Sequence, residues 1–274
     1  MLKKALENVI AIKPLVHNIT NYVTINDCAN ILLASGASPI MADDPLEAED
    51  ITGICRGLNI NAGTLNENTI KAMNLAAKRS MEIGNPIILD PVGVGASKLR
   101  NKVIFDFVEN IKFSVIRGNI SEIKTILNSG GSTSGVDANE SDLIGEESYE
   151  EGVRIASELA KKTHAVVVIT GEIDIISNGE KTYLVRNGHE FMTRVTGTGC
   201  MLSSLIGGYI SANRNNILEA TLAAVCLMGV AGEIAYELLQ DGEGNSTYRN
   251  RIIDSVSNIT GDVLEKRGRY ELVK

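Results

Sequence analysis

Short apolar runs ending at polar or glycine-rich turns alternate with helical stretches along most of this chain, and that alternation limits the folds open to it. Residues 38–41, 58–61, 86–90, 113–117 and 165–170 read as short buried strands. Between them, residues 23–34, 67–83, 98–111 and 150–161 carry apolar positions at helical spacing. This rhythm predicts βαβ units, and so an α/β fold with a mostly parallel sheet and helices on both faces. The Asn178-Gly179 pair within 175–185 predicts an antiparallel hairpin at one sheet edge. Residues 129–152 are Gly/Ser-rich and then acidic, which predicts a surface loop. The rhythm resumes after it, so residues 1–274 read as one domain.

The composition bounds the chemistry. Hydrophobic residues make up 44% of the chain and aromatics only 4%, which implies an aliphatic core of the kind that covers parallel strands. A formal charge of −8 argues against a nucleic-acid or anionic-membrane surface, since both need a basic patch. It leaves room for a phosphate ligand held by backbone dipoles and a metal ion. The four cysteines, Cys28, Cys55, Cys200 and Cys226, form no CxxC pair and read as reduced thiols, with Cys28, Cys55 and Cys226 as packing residues. The N-terminus is polar and amphipathic, unlike a signal peptide, and residues 220–232 are too short an apolar run to cross a bilayer. The expected location is the cytoplasm.

Ligands of open α/β sheets bind at the carboxyl ends of the strands. Asp90, Arg117, Asn119 and Thr170 stand at such ends, and so does the Thr/Gly loop before Cys200. Each could be a turn former alone; together they point to a site. In residues 193–205 a strand-like start meets a small Gly/Thr loop, and an apolar run predicts a buried helix after it. Such a junction exposes backbone N–H groups to an anion. Cys200 lies where this helix begins. Neither a P-loop nor a complete dinucleotide fingerprint occurs, so any nucleotide must be cradled at another helix N-terminus. Asp90 could hold Mg²⁺. Asn119 and Glu122 have capping-box spacing, which explains both structurally, yet Glu122 would also lie near Asp90 and could share the ion through water. His17, in the polar cluster 17–21, reads as a satisfied, partly buried histidine, and His164 and His189 carry no role.

Several segments, in order, resemble the hydroxyethylthiazole kinase family: residues 14–45, 59–65, 88–97, 115–122, 135–137, 167–179 and 195–207. The resemblance spans nearly the whole chain, with residues 266–274 the least informative. It implies a ribokinase-like three-layer α/β fold. It further implies ATP- and Mg²⁺-dependent phosphorylation of the hydroxyl of 4-methyl-5-(2-hydroxyethyl)thiazole, in thiamine synthesis and salvage. The implied assembly is a homotrimer with active sites between subunits. Carried onto this sequence, the resemblance assigns ATP contacts to Arg117 and Thr170, with Asn119 and Gly171 beside them, and magnesium support to Asp90 and Glu122. Met41 and Gly197 line the thiazole pocket, Met41 reaching a neighbour's site, with Asn21, Val23 and Gly63 as further candidates. The N–H groups around Gly197, Thr198, Gly199 and Cys200 would hold the transferring phosphoryl group. Cys200 occupies the position of the Asp base in most ribokinase-like kinases and would accept or orient the hydroxyl proton. A hydroxymethylpyrimidine or sugar kinase of the same fold, or a binding protein without catalysis, are the alternatives.

Overall fold

The computed structural model describes residues 1–129 and 149–274. Most of the loop expected at 129–152, including residues 135–137, lies outside the described residues. The chain runs α1 (Leu2–Ile12), β1 (Leu15–Ile19), α2 (Ile25–Ala34), β2 (Ser38–Ile40), α3 (Ala48–Ile54), β3 (Gly57–Asn61), α4 (Glu67–Glu82), β4 (Ile87–Asp90), α5 (Lys98–Asn110), β5 (Val115–Asn119) and α6 (Ile120–Asn128). It continues with α7 (Tyr149–Thr163), β6 (Val166–Thr170), β7 (Asp174–Ser177), β8 (Thr182–Val185), α8 (Thr198–Ala212), α9 (Ile217–Glu237), α10 (Asn245–Asn258), α11 (Gly261–Arg267) and β9 (Tyr270–Leu272).

The strands form a nine-stranded sheet in the order β2-β1-β3-β4-β5-β6-β7-β8-β9. From β2 to β6 every pairing is parallel, and from β6 to β9 every pairing is antiparallel. Alternation along β6 shows how the layers arise: Val166 and Val168 enter one apolar core, and Val167 and Ile169 enter the other. The first core packs α1, α2, α8, α9, α10 and α11 on one face, and the second packs α4, α5, α6 and α7 on the opposite face. The expected three-layer arrangement is therefore present.

Local signals account for several boundaries. Asn66 and Asn119 open α4 and α6 with capping boxes, and Ser97 caps α5. Helix α9 is long and apolar enough to cross a membrane, but 78% of its most apolar window is buried inside the protein, as a core helix would be.

Three expectations need correction. Residues 15–19 form a strand, β1, flanked by β2 and β3, and His17 on it is fully buried. Residues 193–195 do not start a strand; Glu190–Arg194 is a 3-10 turn, opened by the His189 side chain accepting from the Phe191 N–H. The 175–185 hairpin is present as β7 and β8 but is not outermost, because β9, from the uninformative tail, adds to β8 as the edge strand.

Candidate active site

The carboxyl ends of β3, β4, β5 and β6 meet the N-terminus of α8 at one edge of the sheet. Pair registry sets Asn61 opposite Asp90, and Asn119 opposite Thr170. Helix α8 is buried from Met201 to Ala212, so its position is fixed along nearly its whole length. Polar ties fix its start. Ser203 Oγ donates to Asp90 Oδ2 at 2.8 Å, and Ser204 Oγ donates to Asn18 Oδ1 at 3.2 Å. Asn59 Nδ2 donates to both Asn18 Oδ1 and Ser204 Oγ.

Gly197, the N-cap of α8, has φ 91°, a left-handed conformation that favours glycine. A Cβ there would also collide with Thr24 Cγ2. Thr198 is the first residue of the helix. At Gly199 a Cβ would lie 2.6 Å from both terminal nitrogens of Arg117. The Arg117 guanidinium is thus laid against the opening turn of α8. Its Nη2 donates to Thr170 Oγ1 at 2.7 Å, and its Nη1 faces Asp90 Oδ2 at 3.5 Å. The buried Nε of Arg117 has no hydrogen-bond partner among the described residues. Gly171, just past Thr170, donates its N–H to Asp174 Oδ1 at 3.1 Å.

Asp90 is fully buried. Its Oδ2 accepts from Asn61 and Ser203, while Oδ1 has no partner among the described residues. Burial pushes its carboxyl up to about 6; the Arg117 charge opposes that rise and the Glu122 charge adds to it. Glu122 caps as expected: Oε2 accepts from the Asn119 N–H at 2.9 Å, and Oε1 accepts from the Gly93 N–H at 2.8 Å. The unpaired, buried Oδ1 of Asp90, within electrostatic reach of the Glu122 carboxylate, suits a divalent cation. No cluster of three or more His, Cys, Asp or Glu exists among the described residues, so water and phosphate would complete such an ion's shell.

Cys200 is half-buried. Its sulfur accepts from Asn21 Nδ2 at 3.2 Å and from Asn61 Nδ2 at 3.3 Å. Burial raises the thiol pKa, the Asp90 charge raises it further, and hydrogen bonds from Thr24, Asn21 and Asn61 oppose that rise. The other three cysteines are buried and free.

A kinase family model, described as the hydroxyethylthiazole kinase family, matches residues 6–262. A hydroxyethylthiazole kinase of Clostridium acetobutylicum is 58% identical over 271 residues, covering 99% of each chain. The chain belongs to the hydroxyethylthiazole kinase family. The solved structure of a hydroxyethylthiazole kinase from Pyrococcus horikoshii superposes with a TM-score of 0.89 at 34% identity, covering 100% of this chain and 99% of that one. A pyridoxal kinase from Staphylococcus aureus shares the fold at a TM-score of 0.64 and 14% identity, covering 95% of this chain and 98% of that one. The family fold is the ribokinase-like one.

Within this kinase-family frame, contacts bring together Asn21, Gly63, Asp90, Arg117, Thr170, Gly197, Gly199 and Cys200. Gly63 belongs because a Cβ there would lie 2.7 Å from Asn21 Cβ. Asn119 and Glu122 stand one strand end away, tied to the capping box. Two candidates sit apart: Val23 is 67% exposed, and Met41 is half-buried in the segment after β2. Sequence reasoning missed Asn61, Ser203, Thr24 and Arg100. Arg100, on α5, donates to the carbonyls of Ala62, Gly63 and Val92, clamping the turns after β3 and β4. The strand-end rule that selected Asp90 would also have selected Asn61, the last residue of its strand. His17 is a satisfied core residue: Nε2–H donates to the Ala42 carbonyl at 2.7 Å, which leaves Nδ1 to accept from Thr52 Oγ1 at 2.9 Å.

Proposed function

We propose that this chain, as one kinase domain over residues 1–274, phosphorylates the hydroxyl of 4-methyl-5-(2-hydroxyethyl)thiazole with ATP and Mg²⁺, supplying thiazole phosphate for thiamine synthesis and salvage in the cytoplasm. One observation carries the reading beyond family membership. The Arg117 guanidinium lies against the glycine-built start of α8 with a buried N–H unpaired, so an incoming polyanion would meet a cation and free helix N–H groups at one point.

Each residue then has a task. Arg117 and Thr170 bind the nucleotide phosphates, with the strand-end backbone at Asn119 and Gly171 beside them. Gly197, Thr198, Gly199 and Cys200 present their N–H groups to the phosphoryl group in flight. Asp90 and Glu122 would hold Mg²⁺ through water; when bound, that ion neutralises phosphate charge. Gly197 and Gly63 leave room for the thiazole. Cys200 holds or accepts the hydroxyl proton. Phosphoryl transfer has a loose transition state, so positioning and electrostatics outweigh the strength of a base. Met41 and Val23 fit a thiazole pocket completed by a neighbouring subunit. The exposure of Tyr22, Val23 and Leu46 fits a contact between copies of the chain, such as the homotrimer would need.

A coupled ADP-release assay tests the reading. ADP should appear only with ATP, Mg²⁺ and the thiazole alcohol together. Equal or faster turnover of hydroxymethylpyrimidine or a sugar alcohol would reassign the substrate, and no alcohol-dependent ADP release would make this a binding protein. Light scattering should give three times the chain mass of 29.4 kDa.

A further inference from the structure

Two carboxamides face the Cys200 sulfur, and neither is free to turn round. Either end of an amide can be assigned only from its partners. Here both partners are unambiguous. Asn61 Oδ1 accepts from the backbone N–H of Gly63 at 2.9 Å, and Asn21 Oδ1 accepts from the backbone N–H of Thr24 at 3.2 Å. A backbone N–H can only donate, so each amide oxygen is pinned away from the sulfur and each NH₂ group is pinned toward it. The remaining bonds agree. Asn61 Nδ2 also donates to the acceptor Asp90 Oδ2 at 2.8 Å, and Asn21 Nδ2 also donates to Asn61 Oδ1 at 3.0 Å. Both asparagines are buried. The sulfur is therefore held as an acceptor by two fixed donors.

We propose that Asn61 and Asn21 are positioning residues that act through Cys200, forming an amide cradle that fixes the sulfur at the start of α8. Nothing in the family assignment gives Asn61 a role. The cradle explains how a half-buried thiol, whose own hydrogen bonds are weak, keeps one position beside Gly199. Asn61 does more than Asn21, because the same NH₂ group sets the spacing between the sulfur and the Asp90 carboxylate. The inference rests on the kinase reading above for its kinetic test.

That test is a double-mutant cycle with Cys200→Ala, measured as kcat for the thiazole alcohol at saturating ATP and Mg²⁺. Asn61→Ala should lower kcat about tenfold in the native background, the upper range for one hydrogen bond. In the Cys200→Ala background it should lower kcat by no more than about threefold, since the partner is already gone. Asn61→Ala also removes the bond to Asp90 Oδ2, which faces Arg117, so any rise in ATP KM from that loss should be equal in both backgrounds, and kcat carries the test. Equal losses of kcat in both backgrounds would mean that Asn61 only supports Asp90 and the strand end, and the proposal would fall. If Asn61→Ala does not fold, the isosteric Asn61→Asp and the Asp90-independent Asn21→Ala enter the same cycle with the same criterion. A second readout needs no kinase activity. Cys200 is the half-buried cysteine and the others are buried, so iodoacetamide reports on it. Asn61→Asp replaces a donor by an acceptor and should slow that labelling severalfold at fixed pH, as a less stabilised thiolate reacts more slowly. Labelling at the native rate would overturn the cradle. Native protein that labels as expected but releases no alcohol-dependent ADP would sink the kinase reading alone.

Discussion

Gly199→Ala separates the phosphate cradle from ordinary helix packing. Its backbone is not left-handed, and alanine is a better helix former than glycine by about 1 kcal/mol, so the opening of α8 tolerates the change. The side chain is the difficulty. An added methyl would sit 2.6 Å from both terminal nitrogens of Arg117 and 2.9 Å from its Cζ, so the guanidinium must withdraw. That withdrawal should weaken its 2.7 Å bond to Thr170 and its 3.5 Å pairing with Asp90. A hydrogen bond from a charged donor is worth about 1.5–3 kcal/mol, or about 10- to 150-fold in kcat/KM for ATP. Steady-state ADP release against ATP concentration measures the loss, and thermal melting checks that the protein remains folded. A folded Gly199→Ala enzyme within about twofold of the native kcat/KM, well below the loss of one such bond, would show that Arg117 is not held where nucleotide phosphates bind.

The remaining expectations concern neighbouring positions. Gly197→Ala combines a φ of 91° with a clash against Thr24; the backbone alone costs about 1–2 kcal/mol, so both melting temperature and turnover should fall. Cys200→Ala should slow turnover by less than about 100-fold, the lower bound for general-base catalysis, and Cys200→Asp should stay active; a Cys200→Ala enzyme as inert as a bulky Gly199 variant would enlarge the thiol's role. Asp90 is raised from 3.8 to about 6 by burial, so between those values the folded protein holds a proton that the unfolded chain has lost. Its contribution to stability is thus fully present below pH 3.8 and lost as pH rises through 6, by about 3 kcal/mol. Denaturant unfolding in EDTA should therefore show Asp90→Asn gaining on the native protein from pH 4 to pH 7, and parallel curves would contradict the buried, unpaired Oδ1.

Legibility in the sequence followed where the bonding partners lie. Strands β4, β5 and β6 could be read because their apolar runs end in Asp90, Arg117 and Thr170, and the helix after Gly197 because it is apolar all round. Strand β1 was hidden by His17 and Asn18. Both are buried, and their polar atoms are satisfied by Thr52, the Ala42 carbonyl and the Val16 carbonyl, two of which are distant in sequence. Edge strand β9 was hidden for a related reason: its charged residues gain partners only across the sheet, as in the 2.5 Å pair of Glu271 with Arg186. Within the site, Asp90 and Cys200 announce their chemistry by residue type. Asn61 does not; its place at a strand end could have been read, but its pairing partner appears when β3 pairs with β4 and sets it opposite Asp90.

The site invests in holding Cys200 more than in deprotonating it. Burial and the Asp90 charge lift the thiol pKa, and the amide bonds that oppose them do not reverse the direction. Yet the sulfur is fixed by two pinned carboxamides, one of which also grips Asp90. The helix carrying it is tied to β4 through Ser203 and to β1 through Ser204. A base strong enough to remove the alcohol proton early would need a lowered pKa. A loose phosphoryl transfer needs instead that the acceptor oxygen stay in line while charge spreads over the phosphoryl oxygens. On the proposed reading, Arg117 and the α8 N–H groups would meet that charge, and a rigidly placed thiol with a raised pKa would serve the alcohol by position.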